Sequence, residues 1–163
     1  MSDAAKTTLT DGSPVTADHR EIDPATGMQK GYVVLSDEER AKGFVRPVRR
    51  SYVHVGRRPK YPIRNLTAEE AERHGRYGYV KFEEYPEGSR ERELGGVGRF
   101  WTQRELTSGC GAVTTMGLAL AETYARDPKF YGGTFCATCR AHFPVGADGE
   151  FDWNNEPGVK VGT

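Results

Sequence analysis

Cys136-Ala137-Thr138-Cys139-Arg140-Ala141-His142 is the stretch on which the reading of this chain turns. Two cysteines two residues apart sit on one tight turn, so both sulfurs can face a single point. This is the spacing of a zinc knuckle, with Zn–S bonds of about 2.3 Å. No second pair exists; the remaining cysteine is Cys110. Gly109 and Gly111 flank it, so a sharp backbone turn can aim its sulfur. It also precedes the strongest helical pattern of the chain, where a helix N-terminus favours the thiolate that zinc requires. Cys110, Cys136 and Cys139 are therefore the expected sulfur ligands of one structural zinc ion.

A tetrahedral site needs a fourth ligand. His142 is nearest in sequence and completes Cys-x2-Cys-x2-His. Its odd separation from Cys139 would turn it away in a regular strand, so a distorted knuckle is required to bring it in. His54, within Ser51-Tyr52-Val53-His54-Val55, is the distal candidate. His74 falls in a polar helix and His19 in a polar arm, and a water or carboxylate is a further option. Three thiolates and a histidine make a closed site, which supplies folding energy rather than an open Lewis acid. The competing readings are three unconnected thiols in a modest core, or a disulfide.

Outward from the cysteines, Ala112 to Arg126 places Val113, Met116, Leu120 and Tyr124 three or four apart, and Asp127-Pro128 stops the run. One main helix over about 112–126 is expected. Asp148-Gly149 predicts a hairpin between Phe143-Pro144-Val145 and Glu150-Phe151-Asp152-Trp153. Upstream, Tyr32–Leu35, Val48–Val55, Tyr79–Tyr85 and Arg99–Thr102 have strand composition. Ser36 with Glu39, and Thr67 with Glu70, are capping-box patterns that open two short helices. Residues 86–98, with four glycines, read as a loop. The fold class is α+β, with short antiparallel strands. Residues 1–30 are expected to form an extended or disordered arm, 31–155 a single small domain, and 156–163 a tail.

Composition narrows the function. Only 36% of the 163 residues are hydrophobic, and Gly and Pro number 20 and 9, with a mean hydropathy of −0.68. A small core needing a staple fits these values. No apolar run reaches the ~20 residues that span a bilayer, so no membrane partner is expected. Met1–Lys6 carries no apolar leader segment. An odd number of cysteines suits a disulfide framework badly and points to a reducing compartment.

Lys+Arg and Asp+Glu balance at 23 each, so net charge predicts no pull toward nucleic acid. Locally, Arg46, Arg49, Arg50, Arg57, Arg58, Lys60 and Arg64 fall in one stretch without an acid, beside Tyr52 and Tyr61. Arginines among aromatics suit a nucleic-acid backbone with base stacking. The same stretch could equally pair with the acidic run Glu69–Glu93 that follows it. Cys110 before a helix, with His142 or His54 as base and Asp152 or Asn154 as orienter, would be a thiol-hydrolase arrangement, but that chemistry gives no reason for the knuckle spacing. Gly95-Gly96-Val97-Gly98 lacks the Gly-Lys-Ser/Thr ending of a phosphate loop.

The last third, Gly109-Cys110-Gly111-Ala112-Val113-Thr114-Thr115-Met116, then Phe130 through Val145, then Glu150-Phe151-Asp152-Trp153, resembles small proteins encoded by tailed bacteriophages and prophages. The resemblance implies a viral origin and a place in the virion or the host cytoplasm, and favours His142 as ligand; it brings no activity. Together these readings predict a non-enzymatic phage protein with a structural zinc ion, a virion or head-decoration component whose partners are other protein subunits. An accessory protein binding nucleic acid or a host protein through residues 46–64 is the alternative, and a Cys110 hydrolase the third.

Overall fold

The computed structural model describes residues 6–163. It is α+β, with short antiparallel strands in small sheets. The chain divides into two units, and this departs from the expected single domain over 31–155: Gly56–Gly109 forms a unit inserted into the other, which runs up to Val55 and resumes as Cys110–Thr163. The inserted stretch is denser in charge than the rest of the chain and holds no cysteine, but no Pro/Ser-rich linker marks either boundary. The turning is local, with Gly56 and Gly109 at φ values of 76° and 98°.

The outer unit opens with β1 (Thr7–Leu9), β2 (Val33–Leu35), α1 (Asp37–Arg40) and β3 (Ser51–His54). The inserted unit follows with β4 (Ile63–Asn65), α2 (Ala68–His74), β5 (Tyr79–Glu84), α3 (Arg90–Glu93), β6 (Gly98–Thr102) and α4 (Gln103–Leu106). The chain then returns through β7 (Val113–Thr115), α5 (Leu118–Arg126), β8 (Gly133–Cys136), β9 (Ala141–Pro144) and β10 (Phe151–Trp153).

In the outer unit β3 is the centre of a β10-β3-β7 sheet. Alternation along β3 buries Tyr52 and His54 and leaves Ser51 and Val53 half-buried, as a one-sided strand should. Phe151 lies opposite His54, and Trp153 opposite Tyr52. Tyr52, Met116, Ala121, Tyr124, Cys136, Phe151, Trp153 and Val161 form one buried cluster. Burying each of the larger of these side chains contributes roughly 1.5–3 kcal/mol.

Four expectations are corrected here. The arm is folded over its described part: β1 pairs with β2, Ile22 bridges Gln29, and Asp11 and Asp23 accept N–H groups two residues on. Turn hydrogen bonds, not apolar burial, order it; residues 1–5 of that arm lie outside the described residues. The main helix begins at Leu118, because Val113–Thr115 pairs with β3 and Gly117 takes an extended N-cap conformation. Asp148-Gly149 turns the chain without making a hairpin: β9 pairs with β8 and β10 with β3, which lets Phe151 and Trp153 cover the sheet. Residues 156–163 are no loose tail, since Val161 is fully buried and donates its N–H to Phe151.

The inserted unit is a β4-β5-β6 sheet with α2 against β5. The Thr67 capping box forms as expected; at α1 only half of the expected box forms, with Ser36 accepting the Glu39 N–H while the Glu39 carboxylate pairs with Lys42. Residues 86–98 contain α3, capped by Ser89. Phe82 and Trp101 are buried. Beside them Glu83 is 3% exposed, and its carboxylate accepts the backbone N–H groups of Lys60 and Tyr61 and the Trp101 indole N–H. Three donors make that buried carboxylate tolerable.

Candidate metal centre

Three segments of the outer unit converge on one point. β3 ends at His54. The Gly109-Cys110-Gly111 loop doubles back on itself, with both glycines in the left-handed region. It is tied to β3 by the Gly111 N–H to His54 carbonyl bond at 2.9 Å and the His54 N–H to Ala112 carbonyl bond at 3.1 Å. β8 ends at Cys136, the chain turns through Ala137–Arg140 with Arg140 at φ 58°, and Cys139 faces back toward Cys136. The Thr114 hydroxyl on β7 accepts the Ala137 N–H at 3.1 Å and fixes the turn.

One ligand atom each from His54, Cys110, Cys136 and Cys139 lies within 4.8 Å of all the others. Cys110 Sγ is 3.5 Å from Cys136 Sγ, and Cys139 Sγ is 3.4 Å from His54 Nδ1. A tetrahedral ion with Zn–S of about 2.3 Å and Zn–N of about 2.0 Å sets its ligand atoms roughly 3.5–3.8 Å apart, so the cluster is already near the size of a coordination sphere. The group is close enough to bind a metal ion, and its soft sulfur and imidazole donors suit zinc far better than magnesium or calcium.

His54 is held firmly in place. Its ring lies between Phe143 and Phe151, with centroids 4.4 and 4.8 Å away. Nε2 donates to the Glu150 carboxylate at 2.9 Å; the hydrogen is therefore on Nε2 and the Nδ1 lone pair faces the sulfurs. A carboxylate behind the imidazole fixes tautomer and orientation, as in many metal-bound histidines. Both His54 and Glu150 are buried, at 2% and 8% exposure. Cys136 is buried as well, whereas Cys110 and Cys139 are exposed.

The sulfurs already share charge unequally. At Cys110 burial disfavours the thiolate, but the Ala112 amide and the polar contacts with His54, Cys136 and Cys139 outweigh it and bring the thiol down to about 7. Burial, then the hydrogen bonds and charge shared with Cys136 and Cys110, push Cys139 up to about 12. A cation at the centre removes that competition by stabilising every thiolate at once.

His142 stands outside this cluster, which corrects its expected role as fourth ligand. It sits on β9 opposite Phe135, and its Nε2 is 2.8 Å from the Tyr32 hydroxyl. Regular strand pairing turns it away from Cys139, and burial holds its pKa below the ordinary 6.5. His54 takes the fourth place. Glu150 was missed; the available signal was an acid at the head of a strand whose next residues, Phe151 and Trp153, alternate toward the core.

The basic stretch is divided between the two units. Arg46, Arg49 and Arg50 belong to the outer unit, and Arg57, Arg58, Lys60 and Arg64 to the inserted one. Arg49 pairs with Glu156 at 2.7 Å and lies over the Trp153 ring, Arg50 donates to the Met116 carbonyl, and Arg46 to the Thr163 carbonyl. Lys60 pairs with Glu91, Arg64 with Glu70 and Arg57 with Glu105, while Arg58 donates to the Ser108 carbonyl. The acidic run after the stretch is thus one of its main partners.

The four-ligand cluster places the chain among proteins able to hold one metal ion on three cysteines and a histidine. No family model, no curated protein and no solved structure matches the chain. Among the described residues no helix is long and apolar enough to cross a membrane.

Proposed function

We propose that this is a non-enzymatic structural protein whose outer unit is stapled by one zinc ion on His54, Cys110, Cys136 and Cys139. The observation that carries this reading is the gathering of those four ligand atoms within 4.8 Å from three separate segments. Four protein ligands leave zinc no position for substrate, so the ion contributes stability. Metal analysis of freshly purified protein tests it: one zinc per chain, lost together with the native fold on chelation, is the expected result, and zinc-free protein with an unchanged melting temperature sinks it.

The biological role proposed with it is that of a virion component of a tailed phage, decorating or joining capsid subunits. The resemblance of the final third supports this, as do the balanced charge and the exposed apolar side chains of the inserted unit, Leu94 at 77% and Val97 at 64%. Copurification with intact particles at a fixed ratio to the major capsid protein is expected; absence from purified particles removes the role and leaves the zinc reading standing.

A second reading has one observation in its favour. Exposed Cys110, lowered to about 7, has its sulfur within 4.8 Å of a His54 ring nitrogen, and Glu150 stands behind that ring; this is the order of nucleophile, base and orienter in a thiol hydrolase. The two further sulfurs crowding the same nitrogen argue for metal instead. Iodoacetamide separates the readings: a zinc-bound Cys110 is labelled only after chelation, a nucleophile at once.

A further inference from the structure

Away from the metal centre, the outer unit contains two chambers that share Tyr32, Tyr131 and Gly133 as walls. One has a volume of about 500 Å³ and is lined further by His19, Arg20, Gln29, Phe130 and His142. The other, of about 120 Å³, is lined further by Met28, Met116, Leu120 and Tyr124. The two differ in chemistry: the small one is apolar but for hydroxyls, and the large one carries the charge.

Three of the hydroxyls around the small chamber are engaged. Tyr131 donates to the Val33 carbonyl, Tyr52 to the Phe135 carbonyl, and Thr134 to Tyr52. Tyr124 is the exception. It is 3% exposed, and its hydroxyl has no hydrogen-bond partner among the described residues. Tyr124 lines the small chamber together with Thr134, Tyr131 and Tyr52. A buried hydroxyl left unsatisfied is costly and marks a place where a partner belongs.

In the large chamber no carboxylate lines the wall. The acids of the arm on either side of Arg20, Asp18 and Glu21, are taken by Lys30, while the exposed Arg20 guanidinium on the chamber's wall has no carboxylate partner among the described residues. His19 donates from Nδ1 to the Thr16 carbonyl, which leaves Nε2 as an acceptor. Gly132 adds no side chain here, and a Cβ built on it would meet nothing within 4 Å.

We propose that these chambers form a binding site for a small aromatic carboxylate with a ring hydroxyl. The ring enters the apolar chamber, whose volume is of the order that holds a single benzene-sized ring, and its hydroxyl bonds Tyr124. The carboxylate remains in the large chamber against Arg20, where a guanidinium is the natural partner. The site shares no residue with the four clustered ligands His54, Cys110, Cys136 and Cys139.

Calorimetric titration of the full-length, metal-loaded chain with three probes tests this. 4-Hydroxyphenylacetate is expected to bind with a Kd below about 1 mM. Phenylacetate, which lacks the hydroxyl, is expected to bind about three- to tenfold more weakly, and tyramine, a cation with the same ring, not at all. Arg20→Gln weakens both acids by about tenfold or more. Tyr124→Phe leaves the melting temperature unchanged or raised, since it deletes an unsatisfied group, and abolishes the difference between the two acids. No binding of 4-hydroxyphenylacetate at millimolar concentration, or equal affinity for all three probes, overturns the proposal. So does an undiminished difference between the acids in Tyr124→Phe.

Discussion

At the scale of single residues, the decisive contrast is between two histidines. His54 and His142 are equally capable ligands by chemistry, and only position separates them: His54 ends a central strand beside Cys139, while His142 bonds Tyr32. His54→Ala should leave a chain that loses zinc to a modest chelator during gel filtration, whereas His142→Ala should retain one ion per chain by atomic absorption. Equal retention by both variants would remove His54 from the site. Glu150 acts one step back. Glu150→Gln keeps the shape and weakens the grip on Nε2–H, so zinc affinity should fall about 10–100-fold in competition with a chromophoric chelator; an unchanged affinity would make Glu150 a mere core acceptor. The sulfurs were legible in the sequence because C-x2-C spacing is local. The histidine was only a second candidate, since ligand choice between two positions 88 residues apart is a matter of strand pairing.

At the scale of elements, local chemistry predicted best where it was self-contained. The Thr67–Glu70 box forms as written, and Thr67→Ala should cost about 1 kcal/mol of inserted-unit stability in urea melts. Glu70 also bonds Arg64 on β4, and that bond, then the Thr67 backbone N–H, holds its carboxyl down at about 2 against an ordinary 4.5. A carboxyl with a depressed folded pKa contributes stability that is complete above its unfolded value and fades as pH falls through the folded one. The inserted unit should therefore weaken as pH drops from 4.5 to about 2, followed by helix-sensitive circular dichroism, and Glu70→Gln should flatten that part of the profile. If the two profiles superimpose, the pair is inert. Elements whose fate depends on distant pairing were misread. Val113–Thr115 has a helical period on paper, but β3 recruits it as a strand; the arm has no apolar period, but its turns close on themselves and β1 finds β2. In both cases tertiary partners overrode a local pattern.

At the scale of the whole molecule, the chain contains two units of unlike construction. The inserted unit rests on Phe82, Trp101 and the satisfied Glu83; the outer one has a larger aromatic cluster and the proposed ion. Calorimetry should resolve two transitions, and a chelator should lower one of them by 10 °C or more, on the scale of roughly 4–8 °C per kcal/mol for a domain of this size, while leaving the other in place. A single transition that shifts as a whole would mean that the two units melt together. The inserted stretch is richer in charge than its flanks and holds no cysteine, yet a boundary made by two glycine turns offers no linker to mark where the division falls.

His54 stands two positions before Gly56, and Cys110 directly follows Gly109. The proposed ion, if it gathers the knuckle, would therefore also clasp both feet of the excursion from Gly56 to Gly109, like a drawstring at the mouth of a bag. Closing a loop becomes harder only with the logarithm of its length, by about 0.6 kcal/mol for each doubling. With its mouth cinched by metal, the bag can be emptied, enlarged or refilled with an unrelated sequence at little thermodynamic penalty to the outer unit, which makes this position a natural place for graft and for divergence.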